Sequence, residues 1–239
     1  MQYKMSDRIM PNQDPLLEYY KEDRESLSSR IFETCIKYSK IENKDSSFKY
    51  HKNFPEQQYM GTDPIVRKFQ SMLIGQIQAK KVLEIGTFVG MGTINLAKSV
   101  GESGSVTTIE KFSEFANIAR ENFKQAGLGN ITLLEGDAFN IIQDLTSAGG
   151  GDLYDFIFLD GNKEHYFDYF NMLFPYLKVG GILMIDDGFF VGDILNDEPQ
   201  TQKGKGVKKF LESIIKKDDA DSLLLPLGAG SCIITKLRS

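Results

Sequence analysis

The feature that most constrains the fold is a repeated alternation, from Lys81 onward, of short apolar runs with amphipathic segments. The apolar runs cover residues 81–85, 105–110, 130–136, 154–160 and 180–187. Near-continuous apolar strands that alternate with helices are typical of a parallel sheet covered on both faces. The sequence therefore predicts an α/β fold built on a mostly parallel sheet.

The last part of the chain departs from this alternation. A helical pattern over 204–217 is followed by two strand-like runs, 222–226 and 231–237. Only a short glycine-containing segment separates the two runs, so we expect them to pair as an antiparallel hairpin.

The first 60 residues differ in character, being polar and rich in tyrosine, with no strand-like run. Apolar residues at helical spacing predict an amphipathic helix near 22–39 and a second helix near 62–79. The stretch 40–59 between them is charged and aperiodic, so we expect a loop there. The apolar stripe expected on that second helix comprises Ile65, Phe69, Met72, Leu73 and Ile77. We therefore divide the chain into an N-terminal helical extension, 1–60, and a main domain, 61–239.

Composition limits the classes of function. A chain of 239 residues with 41% hydrophobic residues is long enough for one globular domain with an appendage. The net charge of −5 disfavours nucleic acid as a partner, although the basic run 203–209 leaves RNA open. No apolar run approaches the ~18 residues of a membrane span, and the first residues do not resemble a secretory signal. With only two distant cysteines, Cys35 and Cys232, we expect a cytoplasmic protein.

Acidic residues stand at or just beyond the ends of the five predicted parallel strands. They are Glu84, Glu110, Asp137, Asp160 and Asp186, the last followed by Asp187. In open parallel sheets, ligands bind beyond the carboxyl ends of the strands. Acids there can also serve simply as helix N-caps, which would explain one or two of them.

The loop after the first strand reads E-I-G-T-F-V-G-M-G. Glycines permit a tight turn and a close approach of the backbone to a ligand. Phe88 stands where a dinucleotide fingerprint needs its second glycine, which disfavours a nucleotide-dependent oxidoreductase. Glu110 lies 24 residues after Gly86, where an acid can accept hydrogen bonds from ribose hydroxyls, and Asp137 can meet an adenine edge. Together they predict an adenosine-containing ligand without a pyrophosphate.

The segments V-L-E-I-G-T-F-V-G, T-I-E and G-D-A resemble those of class I S-adenosylmethionine-dependent methyltransferases. The segment F-I-F-L-D-G-N-K-E-H-Y, followed by G-G-I-L-M-I-D-D, narrows the resemblance to cation-dependent O-methyltransferases of the catechol and caffeoyl-CoA type. The similarity covers about Met60 to Lys236. It implies a Rossmann-like fold with a seven-stranded, mostly parallel sheet, a C-terminal antiparallel hairpin and helices on both faces, and it implies a homodimer.

The resemblance also implies a set of site residues. S-adenosylmethionine, and its product S-adenosylhomocysteine (SAH), would be bound by Met60, Thr62, Glu84, Gly86, Phe88, Gly92, Glu110, Asp137, Ala138 and Asp160. A divalent cation would be held by Asp160, Asp186 and Asp187, where the family has Asn in the last position. Converging carboxylates repel one another unless a cation joins them, and oxygen ligands suit Mg²⁺ or Ca²⁺. Lys163 would be the general base, because a lysine near a cation and a sulfonium can lose its proton more readily.

The function expected is transfer of a methyl group from S-adenosylmethionine to a hydroxyl of a catechol-like or hydroxycinnamoyl small molecule. Three alternatives stay open at the level of sequence. They are a tRNA nucleoside O-methyltransferase of the same fold, a nucleotide-dependent oxidoreductase, and a sensor that binds an adenosyl ligand without catalysis.

Overall fold

The computed structural model describes residues 24–39, 41, 60–147 and 154–238. The predicted loop over 40–59 lies outside the described residues apart from Ile41. The chain divides into two compact units, Met1–Glu42 and Asn43–Ser239. In the first unit, helix α1 spans Arg24–Tyr38, inside the span predicted for it.

The second unit is built around one seven-stranded sheet with the order β3-β2-β1-β4-β5-β7-β6. The strands are β1 (Lys81–Ile85), β2 (Ser105–Glu110), β3 (Ile131–Glu135), β4 (Tyr154–Leu159), β5 (Leu177–Ile185), β6 (Ala220–Leu225) and β7 (Ser231–Lys236). Strands β1 to β5 pair in parallel, whereas β7 pairs antiparallel with both β5 and β6. The predicted fold, including the C-terminal hairpin, is confirmed.

Helices cover both faces of this sheet. They are α2 (Pro64–Gln76), α3 (Met91–Val100), α4 (Ser113–Gln125), α5 (Ala138–Ser147), α6 (Tyr166–Leu173) and α7 (Gln202–Ile214). Short 3₁₀ turns occur at Lys163–His165, Phe174–Tyr176 and Phe190–Leu195. In the part of the chain that the structure describes, no helix is long and apolar enough to cross a membrane.

Successive side chains of the central strands enter two separate cores, because side chains of a strand point alternately to opposite faces. Leu83, Ile157 and Leu183 pack in one core with α6 and α7. Val82, Phe156 and Met184 pack in the other core with α2 and α3. Both faces of the strands are thereby dry, which explains why the runs are apolar throughout rather than alternating.

The apolar stripe predicted for α2 is wrong in one respect. Met72 is 61% exposed, whereas Arg67 and Gln70 are buried together with Val66 and Ile74. The side-chain amide of Asn95 on α3 donates to the carbonyl oxygen of Arg67 at 3.0 Å. The guanidinium of Arg67 donates to the carbonyl oxygen of Thr62 at 2.7 Å, and the amide of Asn95 also lies 3.5 Å from Oε1 of Gln70. Such hydrogen bonds allow polar side chains on a helix face that hydropathy alone would leave exposed to solvent.

The loop between β1 and α3 depends on the backbone of Gly90. This residue has φ +87°, in the left-handed region, and is the N-cap of α3. A β-carbon at this position would overlap the ring of Phe123 on α4. Glycine is thus required both for the conformation and for the close packing of α4.

We predict that Gly90→Ala destabilises the protein more than Gly127→Ala does. Gly127 has φ +66°, and a β-carbon added there would meet nothing within 4 Å, so that variant carries only the conformational penalty, about 1–2 kcal/mol. At Gly90 the overlap with Phe123 adds about 1–3 kcal/mol of overpacking. Urea unfolding of both variants measures the difference; equal losses would show that the Phe123 contact yields without strain.

Candidate active site

The carboxyl ends of the parallel strands open into a cavity of about 1130 Å³. Of the residues predicted for the site, those that line it are Met60, Thr62, Gly86, Phe88, Glu110, Asp137, Ala138, Asp160, Lys163, Asp186 and Asp187. Glu84 and Gly92 lie behind this lining. The parallel register explains the convergence, because strands that run in the same direction end at the same edge of the sheet.

Gly86 brings the first loop against the strand that carries Asp160. It has φ +98°, and a β-carbon there would overlap the carbonyl oxygen of Asp160. The Gly86 N–H donates to the carbonyl of Ile109 on β2 at 3.0 Å. The loop is therefore held between β2 and the end of β4.

Glu110 is fixed at the end of β2 by main-chain donors. The Phe88 N–H donates to its Oε2 at 2.8 Å, and the Phe112 N–H donates to its Oε1 at 2.9 Å. Burial raises the pKa of Glu110, although these backbone hydrogen bonds oppose the shift. Each carboxylate oxygen has a second lone pair. Glu110 can thus still accept hydrogen bonds from a ligand in the cavity.

Glu84 lies beneath the first loop and is 1% exposed. The hydroxyls of Thr93 and Thr108 donate to its Oε2 at 2.5 and 2.6 Å. Desolvation raises the pKa of Glu84 to about 8, so the carboxyl keeps its proton at neutral pH. A β-carbon on Gly92 would lie 2.9 Å from its Oε1. Glu84 and Gly92 together support the start of α3 from below.

Asp137 acts as a helix cap, the alternative that the sequence left open. Its Oδ1 accepts the N–H of Phe139 at 3.0 Å at the start of α5, and its Oδ2 forms an ion pair with Lys111 at 2.9 Å. The hydrogen bond from Lys111 lowers the pKa of Asp137. Asp137 also lines the cavity, so capping and ligand contact are compatible.

Lys163 lies among the acids at the ends of β4 and β5. Its Nζ is 2.6 Å from Oδ1 of Asp160 and 3.0 Å from Oδ2 of Asp187. We call Asp160, Asp186 and Asp187 the carboxylate cluster, and Lys163–His165 the lysine turn. The two carboxylates from different strand ends are thus joined through one ammonium group.

The charges in this cluster do not balance. Burial raises the pKa of Asp160, and burial together with the charge of Asp160 raises the pKa of Asp186 to about 7. Burial alone would lower the pKa of Lys163, but the charge of Asp160, with smaller contributions from Tyr166 and Asp187, raises it above its ordinary value. Two carboxylates therefore stabilise the ammonium of Lys163 in this arrangement. The prediction that Lys163 loses its proton readily concerns a lysine beside a cation and a sulfonium, and it stays a prediction.

The carboxylate cluster suits a hard cation in its chemistry. All three side chains offer oxygen, the donor that Mg²⁺ and Ca²⁺ prefer, and three carboxylates face only one ammonium group. Among the described residues, however, no three acidic, histidine or cysteine side chains stand in a metal-holding arrangement. In this structure the ammonium of Lys163 occupies the space between two of the carboxylates.

The backbone explains why Asp can replace Asn at position 187. Asp187 has φ +55°, in the left-handed region that Asn and Asp tolerate better than most residues. Its N–H donates to Oδ1 of Asp186 at 2.9 Å. Tyr166 is fully buried, and its hydroxyl donates to the carbonyl of Asp186 at 3.1 Å. The segment from Asp160 to Tyr166 therefore positions the end of β5 as well as the end of β4.

Sequence reasoning missed an aromatic group on the cavity wall. The ring of Phe139 stacks on that of Tyr169 at 4.3 Å with an angle of 12°, and His165 meets Phe139 edge-on at 5.2 Å. All three line the cavity. The signal available was the position of Phe139, two residues after Asp137, but its contact with Tyr169 on α6 depends on tertiary packing.

The basic run 203–209 lies mostly in the first half of α7 and is partly satisfied within the chain. Lys208 donates to the carbonyl of Asp197, and the Nζ of Lys209 lies 4.3 Å from the centre of the Phe167 ring. Lys203 lines the cavity. These contacts explain two of the lysines without RNA.

Comparisons with known proteins identify relatives of this chain. A family described as O-methyltransferase matches residues 39–237. A caffeoyl-CoA O-methyltransferase from Stellaria longipes is 30% identical over 72% of this chain and 74% of that protein. A catechol O-methyltransferase from Niastella koreensis is 27% identical over 70% of this chain and 76% of that protein. The crystal structure of an O-methyltransferase from Bacillus cereus in complex with SAH matches with a TM-score of 0.71 and 26% identity, covering 77% of this chain and 84% of that chain.

We predict that Glu84→Gln flattens the pH dependence of stability. The pKa of Glu84 is about 8 in the folded state against 4.5 ordinarily, so between these values the folded protein binds a proton that the unfolded chain lacks. Its stabilising contribution is present below pH 4.5 and is lost as the pH rises through about 8. Gln keeps the shape and an acceptor for both threonines.

Urea unfolding at a series of pH values measures the effect, with exposed Glu102→Gln as the control. The free energy of unfolding should fall less steeply with rising pH in Glu84→Gln than in the wild type and the control. An unchanged slope would mean that Glu84 is ionised in the folded protein at neutral pH.

Proposed function

The chain belongs to the O-methyltransferase family of S-adenosylmethionine-dependent enzymes, and we propose that it methylates a hydroxyl of a catechol-like or hydroxycinnamoyl molecule with a divalent cation. One observation carries the proposal. A single cavity has the glycine loop and Glu110 in one part of its wall and Lys163 with the carboxylate cluster in another. The names of the Stellaria and Niastella relatives support an acceptor with neighbouring phenolic hydroxyls.

For the methyl donor, we assign Glu110 to the ribose hydroxyls and Asp137 with Ala138 to the adenine. Met60 and Thr62 would meet the methionine end, and Asp160 would lie near the sulfonium. Gly86 and Phe88 form the wall between them, and Glu84 and Gly92 hold that wall from behind. The lining of the cavity and the main-chain donors to Glu110 support these assignments.

For the cation, we assign Asp160, Asp186 and Asp187 as ligands, with Mg²⁺ or Ca²⁺ as the ion. Bound there, it would lower the pKa of an adjacent hydroxyl and offset the negative charge that holds Lys163 protonated. The all-oxygen donor set and the unbalanced charge of the cluster support this assignment. Lys163 would have to leave at least one of its two carboxylate partners to make room.

We assign Lys163 as the residue that accepts the proton of the acceptor hydroxyl. It is only 14% exposed and lines the cavity beside the carboxylates, so a hydroxyl bound there would be within its reach. With the proton removed, the oxygen attacks the methyl carbon, the carbon–sulfur bond breaks, and SAH is left. Positioning of the two reactants supplies much of the remaining acceleration.

We further propose that residues 61–239 form the catalytic domain, that residues 1–60 are an extension of it, and that the enzyme acts as a cytoplasmic homodimer. The family resemblance supports the dimer, and the two distant cysteines support a reducing compartment. Light scattering of the purified chain tests the oligomeric state.

We predict methyl transfer to phenols with neighbouring hydroxyls and none to monophenols. A panel of both, with tRNA as a further acceptor, is assayed with S-adenosylmethionine before and after treatment with EDTA. Asp160→Asn should lose activity and Mg²⁺ binding by calorimetry, whereas Asp144→Asn, on the exposed side of α5, should lose neither. Full activity without metal would remove the cation from the proposal, and methylation of tRNA alone would favour the nucleoside alternative.

We predict that Lys163→Met lowers kcat by roughly 10²–10⁴, the usual contribution of a positioned proton acceptor. Raising the pH should partly rescue this variant, because the hydroxyl then ionises without help. The affinity for SAH, measured by calorimetry, should change little. Lys98→Met, at an exposed site on α3, is the control. A folded Lys163→Met variant with wild-type kcat at neutral pH would remove Lys163 from the reaction.

A further inference from the structure

We propose that Gly206 is a positioning residue that sets the place of Lys163. It lies in α7 and lets that helix rest directly on the main chain of the lysine turn. The proposal depends on the proposed role of Lys163 and adds the element that holds this residue in place.

The contact at Gly206 is with backbone atoms. A β-carbon on Gly206 would overlap the carbonyl oxygen of Lys163 and would lie 2.6 Å from the carbonyl oxygen of Glu164. Real β-carbons essentially never approach other atoms so closely. Since main-chain atoms cannot rotate away as a side chain can, any larger residue at 206 must displace the helix or the turn.

Helix α7 is anchored and has little freedom to retreat. Its own residues Val207 and Phe210 are completely buried. The ring of Phe210 meets the ring of Tyr166 edge-on at 6.4 Å and that of Phe170 at 5.5 Å. The core of the protein is close-packed, so moving α7 outward would open voids around these rings.

The lysine turn is the weaker partner. It has three residues, and none of them is buried. Its N-cap bond, from the Glu164 N–H to the side chain of Asn162, is long at 3.4 Å. A substitution at Gly206 should therefore move the turn rather than the helix.

Moving the turn would disturb both strand ends that form the carboxylate cluster. The carbonyl of Lys163, which Gly206 faces, accepts the N–H of Tyr166 at the start of α6. Tyr166 in turn holds the carbonyl of Asp186 through its hydroxyl. The side chain of Lys163 reaches Asp160 and Asp187 from the same turn. A shift of the turn would thus reach Asp160 and Asp187 through the side chain of Lys163, and Asp186 through Tyr166.

The contact of Gly206 with the lysine turn gives a structural reason for one glycine of the run K-G-K-G-V-K-K, whereas the charge of the run does not. Gly204 faces a different neighbour, since a β-carbon there would overlap the carboxylate of Asp193. Asp193 itself is held by the N–H groups of Gln200 and Thr201 at 2.8 and 3.0 Å. The two glycines fit α7 to two different segments, and only Gly206 touches the turn that carries the proposed base.

The test compares Gly206→Ala with Gly75→Ala. Gly75 is also helical, in α2, and a β-carbon there meets nothing within 4 Å. Calorimetric titration with SAH gives the fraction of each preparation that is folded and competent, and kcat is expressed per SAH site. We expect kcat of Gly206→Ala to fall about ten- to a hundredfold, as for a misplacement of about 1 Å. Affinity for SAH and KM for the phenol should stay within about twofold, and high pH should partly restore kcat.

A double variant shows whether Gly206 acts through Lys163. In the Lys163→Met background, Gly206→Ala should have no further effect on kcat, because non-additivity is expected of residues that act together. A further tenfold loss in that background would overturn the proposal, as would wild-type kcat in Gly206→Ala. If Gly206→Ala binds no SAH, this glycine is needed for the fold as a whole, and that result would also overturn the proposal. Wild-type kcat in Lys163→Met alone would instead refute the proposed role of the base.

Discussion

The ion pairs of Lys163 with Asp160 and Asp187 are the interaction on which the arrangement of the cleft depends. Parallel pairing of β4 and β5 forces their terminal acids together, and without a cation between them these acids would repel one another. The ammonium group satisfies two of the three carboxylates at distances of 2.6 and 3.0 Å. The same pairing raises the pKa of Lys163, so its ammonium group keeps its proton in this arrangement. For Lys163 to accept a proton, as we propose, the charge around it would first have to change.

Two other buried acids solve the same problem of charge without an ion pair. Glu84 keeps its proton and is surrounded by threonine hydroxyls, so no charge is buried. Glu110 lies at the edge of the cavity and is compensated by main-chain N–H groups. The way in which each acid is stabilised varies with its distance from the cavity. The acid behind the lining is neutral, the acid beside it is held by dipoles, and the acids of the cluster are held by a long charged side chain.

Much of the fold and part of the site could be predicted from the sequence, since both follow from chain order and strand periodicity. Glu110, Asp160 and Asp186 stand at predicted strand ends and line one cavity, because parallel strands end at the same edge of the sheet. What depends on packing between distant segments could not be predicted. The buried Arg67 and Gln70, the stacking of Phe139 on Tyr169 and the contact of Gly206 with the lysine turn are all of this kind. A glycine in a lysine-rich run carries no sequence signal of its steric role, because the atoms it must avoid lie about 40 residues earlier in the chain.

The support of Glu110 by main-chain donors has a consequence for how such an enzyme can diverge. Phe88 and Phe112 hold this acid through their N–H groups, which every residue except proline possesses. The side chains at these two positions are therefore released from the task of orienting the acid. Substitutions there can alter the shape and polarity of the cavity wall while Glu110 keeps its orientation. Sequence change can accumulate at such positions without passing through an intermediate in which this acid is misplaced.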